Sequence, residues 1–333
     1  MPASEELEEE DASDPDEDEA PVSNRRFAIL LVRDILVAVA IVGVALGVIV
    51  AYAGVWPPMV VVESGSMQHG NDRSYLGVID TGDLVLVQSI SGDPGSVTTY
   101  VDGRATGYET YSNYGDVIVF HPPGASPSAT PIIHRALVYV VYPSGVGAGL
   151  VDIPSLSRFP VTEWSGTDAL GQPTTSTLGL RTLTLRVRSF DTGSAAMRTL
   201  PTFNFSGVTG SGFLTKGDNN QGPEGLPPVP ASAIIGKARG EFPWFGLIKL
   251  TVAPGSSGCC PSGWGATGLR GAPKNSWDSL TVSLLLIAPG VLLADQGFVV
   301  IERWYHRFQK RRKGEPAPAD AQAAPEDPPE ARP

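Results

Sequence analysis

The residues with the clearest chemical potential lie in one short run, Glu63-Ser64-Gly65-Ser66-Met67, directly after a long apolar segment. A serine acts as a nucleophile only beside a base and a set of donors that stabilise the oxyanion. Ser66 is the candidate nucleophile, because Gly65 allows the backbone to turn sharply beside it. The same pattern is also typical of an ordinary turn, so the other residues must decide between the two interpretations.

A base for Ser66 has to be sought among four histidines, His69, His121, His134 and His306. His69 is so close to Ser66 in sequence that independent orientation is difficult, and His306 follows a second apolar segment. An isolated histidine at the end of a strand is more often structural than catalytic. No lysine lies between Ser66 and Lys216, so a base in the central strands has to be a histidine.

Two acids, Asp218 and Glu224, lie on the loop TKGDNNQGPEG. Gly-Asp-Asn-Asn is also a common turn composition. A carboxylate in this loop could hold a histidine in its productive tautomer and stabilise its charged form.

Composition limits the classes of function. The chain has 333 residues and a net charge of −11, which argues against a general nucleic-acid binder. Residues 1–24 form an acidic tail of a kind that stays solvated. An acidic, lysine-poor composition fits a high-salt, halophilic organism. Cys259 and Cys260 are adjacent and offer neither a disulfide framework nor metal-ligand spacing, so we expect unpaired thiols and no metal or organic cofactor.

Two apolar segments predict membrane helices. The first, over 27–56, is long enough to cross a hydrocarbon core of about 30 Å, ends at Trp56 and is followed by Pro57 and Pro58. A cleaved secretory signal is the alternative. The second, over 279–302, is interrupted by Pro289 and Gly290 and is either a kinked span or a helix on the membrane surface.

Basic residues predict the orientation of the chain in the membrane. Arg25 and Arg26 precede the first span, and Lys310-Arg311-Arg312-Lys313 follow the second. Positive flanks favour the cytoplasm, which places both termini there and the region 57–277 outside. The tail 303–333 is basic and then rich in Pro, Ala and Glu, a composition typical of disorder.

The region 57–277 has the pattern of a mostly β domain. Seven stretches predict strands because Val, Ile, Leu and Tyr dominate them and turn residues separate them: MVVVE, LVLVQSI, DVIVFH, ALVYVVY, LTLRVRSF, GFLTKG and AIIGKARG. No helical periodicity of any length is visible between 60 and 270. The stretches 91–113 and 143–205 are predicted insertions, the second with one alternating strand near Leu183, Leu185 and Val187.

Taken in order, these motifs resemble the type I signal peptidases of the archaeal and endoplasmic-reticulum branch. The resemblance covers about 58–90, 114–138 and 212–250 and rests on ESGSM, GDLVLV, GDVIVF, IIHRAL, TKGDNN and IIGKARGEFPWFGLIKL. It implies a signal-peptidase-like β fold anchored in the membrane. In this resemblance Ser66 matches the nucleophile and His134 the general base. Asp218 and Glu224 match the two acids, and Ser64 matches an oxyanion-hole hydroxyl.

Two positions depart from the family pattern. His69 stands where the family usually has proline, and Glu224 stands where it has aspartate, which adds one methylene to a geometry that tolerates little error. Three outcomes are open: Glu224 still reaches His134, Asp218 orients His134 instead, or the enzyme is weak.

The resemblance implies a serine endopeptidase that removes signal peptides from exported preproteins, with preproteins, the lipid bilayer and the protein-export machinery as partners. A membrane-tethered β domain without activity, acting as a binding or structural subunit, is the alternative. A self-cleaving Ser–Lys protease of the repressor type is disfavoured by the spans, by the missing lysine and by the absence of a DNA-binding segment.

Overall fold

The computed structural model describes residues 24–126, 128–142, 149–191, 194–222, 224–254, 264–267 and 271–312. The acidic tail, the Cys259-Cys260 pair and the Pro- and Ala-rich C-terminal tail lie outside these ranges. By its internal contacts the chain divides into two units, residues 1–52 and 53–333.

The first unit contains most of helix α1, Asn24–Ala53. Within it, Val32–Ala53 is the one helix among the residues searched that is long and apolar enough to cross a membrane. At 1.5 Å per residue its 22 residues extend about 33 Å. Its apolar side chains point to solvent in every direction, with Val39 63% and Val44 69% exposed. A helix that is apolar all round belongs in lipid or in a large core, and a signal sequence would have the same features.

The described residues of the second unit form thirteen strands and three further helices. The strands are β1 Met59–Val61, β2 Leu84–Gln88, β3 Glu109–Thr110, β4 Asn113–Tyr114, β5 Val117–Phe120, β6 Ile132–Val140, β7 Trp164–Thr167, β8 Pro173–Thr174, β9 Thr182–Asp191, β10 Ser194–Thr199, β11 Phe203–Asn204, β12 Gly212–Lys216 and β13 Ile234–Phe242. The helices are α2 Tyr100–Thr106, α3 Gly246–Val252 and α4 Lys274–Arg312. All seven predicted strands are present.

The main sheet has six antiparallel strands in the order β1-β2-β13-β5-β6-β12. Each strand's sequence matches its place in the sheet. The continuous apolar run of β5 is central and all four of its residues are buried. In β2, Val85 and Val87 are buried while their neighbours are half-exposed, as alternation predicts.

The predicted insertion 143–205 contains all five strands of a second sheet. Its strands run in the order β10-β9-β7-β8, with β11 also pairing with β9. The alternating strand predicted from Leu183, Leu185 and Val187 is β9, and all three side chains are buried. They share one core with Leu137 and Val138 of β6, so the two sheets pack together.

Two seven-residue helices lie in the region where the sequence shows no helical periodicity. Helix α2 belongs to the insertion 91–113 and begins with a local cap: the Thr99 hydroxyl accepts a hydrogen bond from Asp102 N at 3.2 Å. Helix α3 follows β13. A helix of two turns is too short to reveal a 3.6-residue period, and this explains why the pattern did not predict it.

Helix α4 covers the second predicted span and continues through Pro289. Its first turns pack on α3, where Trp277 and Leu280 join Leu247 and Leu250 in a buried cluster. The side chains of 291–303 and of the basic cluster 310–313 lie outside the described part of the structure. The crossing of the membrane by α4 therefore stays a prediction.

Candidate active site

The predicted nucleophile sits on a single 3-10 turn, Gly65–Met67. Met67 is completely buried in a cluster with Val62, Ile79 and Val85, which fixes the turn to the main sheet. Ser66 itself is half-buried. The Ser64 hydroxyl lies 3.4 Å from the Ser66 hydroxyl, so the two serines share one small polar surface.

Residues 217–220 hold this turn from the opposite side. Asn219 N donates to Ser66 O at 2.9 Å, and Asn219 Nδ2 donates to Gly65 O at 3.0 Å. Gly217 is in such close contact that a Cβ there would lie 2.5 Å from Ser66 O. The glycine is therefore required by the close approach of two backbones.

Strand β6 runs beside the turn and carries His134. His134 is 6% exposed, and its Nδ1 lies 2.7 Å from Glu224 Oε2. The two atoms are close, but their alignment is not that of a linear hydrogen bond. Of the outcomes left open by the sequence, Glu224 is the acid that reaches His134.

Glu224 is itself held in place by its second carboxylate oxygen. Oε1 accepts hydrogen bonds from Gly217 N at 2.7 Å and from Asn220 Nδ2 at 2.6 Å. Burial alone would favour the neutral acid, but the His134 contact and these two donors outweigh it and hold the pKa of Glu224 below its usual range. Glu224 is therefore ionised at neutral pH and faces His134 as a carboxylate.

Asp218 does not contact His134. Its carboxylate accepts three hydrogen bonds from Arg135, at 2.7, 2.8 and 3.1 Å, and lies 3.1 Å from His69 Nε2. Burial would raise the pKa of Asp218, but the Arg135 guanidinium and the His69 ring outweigh it and hold that pKa well below its usual range. The structure thus separates two acids that the sequence left interchangeable.

Arg135, which the sequence did not mark as a site residue, is fully buried. Its Nη1 donates to the carbonyls of Thr110, Asn113, Tyr114 and Gly115. The guanidinium therefore ties the β3–β4 hairpin to the loop that holds Ser66. A charged residue inside the apolar strand IIHRALVYV was the available signal, since a buried arginine needs a partner.

Lys216, at the end of β12, is a second residue that the sequence did not mark as part of the site. The side chain is 6% exposed, and its Nζ donates to Gly222 O at 2.7 Å and lies 4.0 Å from Glu224 Oε1. Burial lowers the pKa of Lys216. The lysine braces the loop that carries Glu224.

Two depressions border the candidate site. One, of about 410 Å³, is lined by His134, Asn220 and Glu224. The other, of about 650 Å³, is lined by Val60 and Glu63 of the segment before Ser64 and by small or apolar residues that include Ala129, Pro131 and Ile234. The volume of the second depression lies in the range of ligand-binding pockets, and polar residues such as His121 also line it.

The structure brings Ser66 and Ser64 together, and it brings His134 and Glu224 together. Ser66 and His134, both in the described part of the chain, share no hydrogen bond. Catalytic hydrogen bonds are often long before substrate binds and tighten in the reacting complex. Within the same ranges, no group of three His, Cys, Asp or Glu side chains is placed to hold a metal ion.

Comparison of the chain with family models, curated proteins and solved structures found no match.

Proposed function

We propose that the chain is a membrane-anchored serine endopeptidase that removes signal peptides from exported preproteins. One observation carries the proposal. His134, on the strand β6 next to the Ser66 turn, makes a buried 2.7 Å contact with Glu224. A nucleophile, a base and an acid that orients the base are the parts that acyl transfer needs.

The proposed reaction has two steps. His134 Nε2 takes the proton of the Ser66 hydroxyl as Ser66 Oγ attacks the scissile carbonyl, and then gives this proton to the leaving amine. Water, deprotonated by the same nitrogen, then attacks the acyl carbonyl. The bond from this carbon to Ser66 Oγ breaks, His134 Nε2 returns the proton to Ser66 Oγ, and the new carboxyl end is freed. Glu224 keeps the proton of the imidazole on Nδ1 and stabilises the charged ring. All of this chemistry uses side chains of the chain itself.

Ser64 is the proposed oxyanion donor, together with the Ser66 backbone N–H. Its hydroxyl is 3.4 Å from the Ser66 hydroxyl and can rotate toward a developing oxyanion. Asp218 has a different part in the proposal. It fixes the loop that clamps Ser66 and does not orient the base, because its carboxylate is engaged by Arg135 and His69.

The substrate is proposed to bind as an extended strand along the groove before Ser64. Val60, Ala129 and Pro131 leave room for small or apolar side chains there. An anchor at α1 would confine enzyme and preprotein to one bilayer and raise their effective concentration. We propose an extracytoplasmic catalytic domain and cytoplasmic termini, with α4 as a second span.

The test is cleavage of a preprotein by the full chain in proteoliposomes. Ser66→Ala and His134→Ala should each abolish cleavage, while Ser165→Ala, an exposed serine of β7, should cleave at the wild-type rate. An active-serine probe should label Ser66 and no other residue. Cleavage by the Ser66→Ala variant would refute the assignment of the nucleophile.

A domain that binds but does not cleave is the second candidate, favoured by the absence of a direct Ser66–His134 hydrogen bond between these described residues. In that case the probe leaves Ser66 unlabelled, and wild type and Ser66→Ala bind the preprotein equally without processing it.

A further inference from the structure

His69, which stands where the family pattern has proline, has three contacts that reach three separate segments. Its backbone N donates to Asp80 Oδ1 at 3.1 Å, its Nε2 lies 3.1 Å from Asp218 Oδ2, and its ring stacks on Phe190 with centroids 3.6 Å apart and planes 10° apart. The residue is 8% exposed. A surface turn residue would have none of these contacts.

The tautomer of His69 follows from its partner. Asp218 is ionised and can only accept, so the proton must lie on Nε2, and the ring donates to the carboxylate. The other nitrogen, Nδ1, is buried without a hydrogen-bond partner. The ring therefore makes one side-chain hydrogen bond, with Asp218, in addition to its stack on Phe190.

Phe190 belongs to β9 of the second sheet, and this strand contacts Asp218 as well. Phe190 N donates to Asp218 O at 3.0 Å, and Ser189 Oγ donates to the same oxygen at 2.6 Å. The second sheet thus holds both His69 and the residue to which His69 binds. Asn219, the next residue along, donates to Ser66 O.

These contacts close a loop through the site. The backbone connects Ser66 to His69 through the buried Met67. The His69 ring contacts Asp218, and the next residue, Asn219, donates a hydrogen bond back to Ser66 O. We infer that His69 is a positioning residue: with Phe190 it couples the second sheet to the Ser66 turn and fixes where the nucleophile stands. The inference rests on the proposed function for its effect on rate, but the coupling itself does not depend on catalysis.

The charged neighbours favour this geometry. Asp80 and Asp218 face His69 from two sides, and Arg135 neutralises Asp218 from behind. Asp218 is the acid that meets the ring, while Asp80 holds the backbone of the same residue. A ring held between a stacked aromatic face and one acid, on a backbone that is itself fixed, has few other orientations. A misplacement of the turn by about 1 Å would cost about 10²-fold in rate, which sets the expected size of the effect.

The experiment compares three variants of the full chain in proteoliposomes. His69→Phe keeps the stack on Phe190 and removes the donor to Asp218. His69→Gln keeps a donor and removes the stack. Phe159→Leu, in the core that the two sheets share, is the matched control, because it removes a buried ring that does not contact the turn.

We expect His69→Phe to lower kcat 10- to 100-fold with KM within about twofold, and His69→Gln to recover part of the loss. Hydrogen exchange should accelerate at 64–70 and at 217–220 together. Phe159→Leu should lose thermal stability and keep its kcat.

Wild-type kcat in folded His69→Phe, or unchanged exchange at 217–220, would overturn the inference. If His69→Phe does not fold, kcat and hydrogen exchange are measured in Phe190→Leu instead, with the same expected changes. If wild-type protein cleaves no preprotein, the proposed function fails, and the exchange data alone decide on the coupling: faster exchange in both segments supports it, and unchanged exchange overturns it.

Discussion

Replacement of Glu224 by glutamine is the sharpest perturbation of the candidate site, because it changes one atom and its outcome follows from two contacts. The oxygen Oε1 already accepts from Gly217 N and Asn220 Nδ2. In the Glu224→Gln variant the amide oxygen has to stay on these two donors, since an amide NH2 there would leave both unsatisfied. The NH2 group then faces His134 Nδ1.

A donor facing Nδ1 forces the wrong tautomer of His134. Nδ1 must become the acceptor, the proton moves to Nε2, and Nε2 can no longer take the proton of Ser66. In the Ser-His-Asp template the equivalent change of acid to amide lowers kcat about 10⁴-fold. We expect a loss of about 10³- to 10⁴-fold here, which is about 4 to 5.5 kcal/mol of transition-state stabilisation.

The matched contrast is Asp218→Asn, the same chemical change in the same loop. Asp218 neutralises the buried Arg135, so its loss should destabilise the fold by about 3 to 5 kcal/mol. Single-turnover cleavage of a preprotein and thermal unfolding, measured side by side, separate the two variants. Glu224→Gln should be folded and inactive, and Asp218→Asn should be unstable and, below its melting temperature, measurably active. The opposite pattern would refute the division of roles between the two acids.

Three further predictions concern the same region. Arg135→Lys keeps the charge but loses the forked contact with Asp218, and urea unfolding should show a loss of at least about 2 kcal/mol. Gly217→Ala places a Cβ against Ser66 O and should lower kcat about 10²-fold in the preprotein assay. Burial raises the pKa of Asp80 to about 6 from an ordinary value of 3.8. Because the folded state binds the proton more tightly, the contribution of Asp80 to stability declines as pH rises through 6, and Asp80→Asn should flatten that part of the curve of melting temperature against pH.

The three substitutions can be compared with control variants or with a result that would contradict the prediction. Arg158→Lys alters an exposed pair with Asp102 and should change stability by less than about 1 kcal/mol. Gly207→Ala adds a Cβ in open space and should keep full activity, so equal rates for both glycine variants would contradict the close-approach argument. An unchanged slope between pH 4 and 7 in Asp80→Asn would show that another group titrates there.

The strands could be predicted from sequence because their burial follows directly from their residue patterns. The continuous apolar run of β5 and the alternation of β2 and β9 each match the number of faces that the strand buries. The second sheet could not be predicted as a sheet, since three of its five strands have four residues or fewer.

The partners of the two acids could not be predicted, and the reason lies in strand geometry. His134 and Arg135 are neighbours on β6, so their side chains point to opposite faces. Glu224 meets the first and Asp218 the second. Which acid reaches which face depends on the path of the loop after β12 and on a register shift inside β12, between Leu214 and Thr215, in its pairing with β6. A one-residue shift of this kind exchanges the faces and leaves no mark in the composition.

The loop Gly217–Asn220 has a consequence for how this chain can change length. Its four consecutive residues meet four different groups: Glu224 and Ser66 at Gly217, Arg135 at Asp218, the Gly65 carbonyl at Asn219, and Glu224 again at Asn220. A substitution removes one of these contacts, but the insertion or deletion of a single residue displaces all of them at once. The length of this loop is therefore more strongly constrained than the identity of any single residue in it. A homologue with one residue more between Lys216 and Asn220 would need a different set of contacts around Ser66.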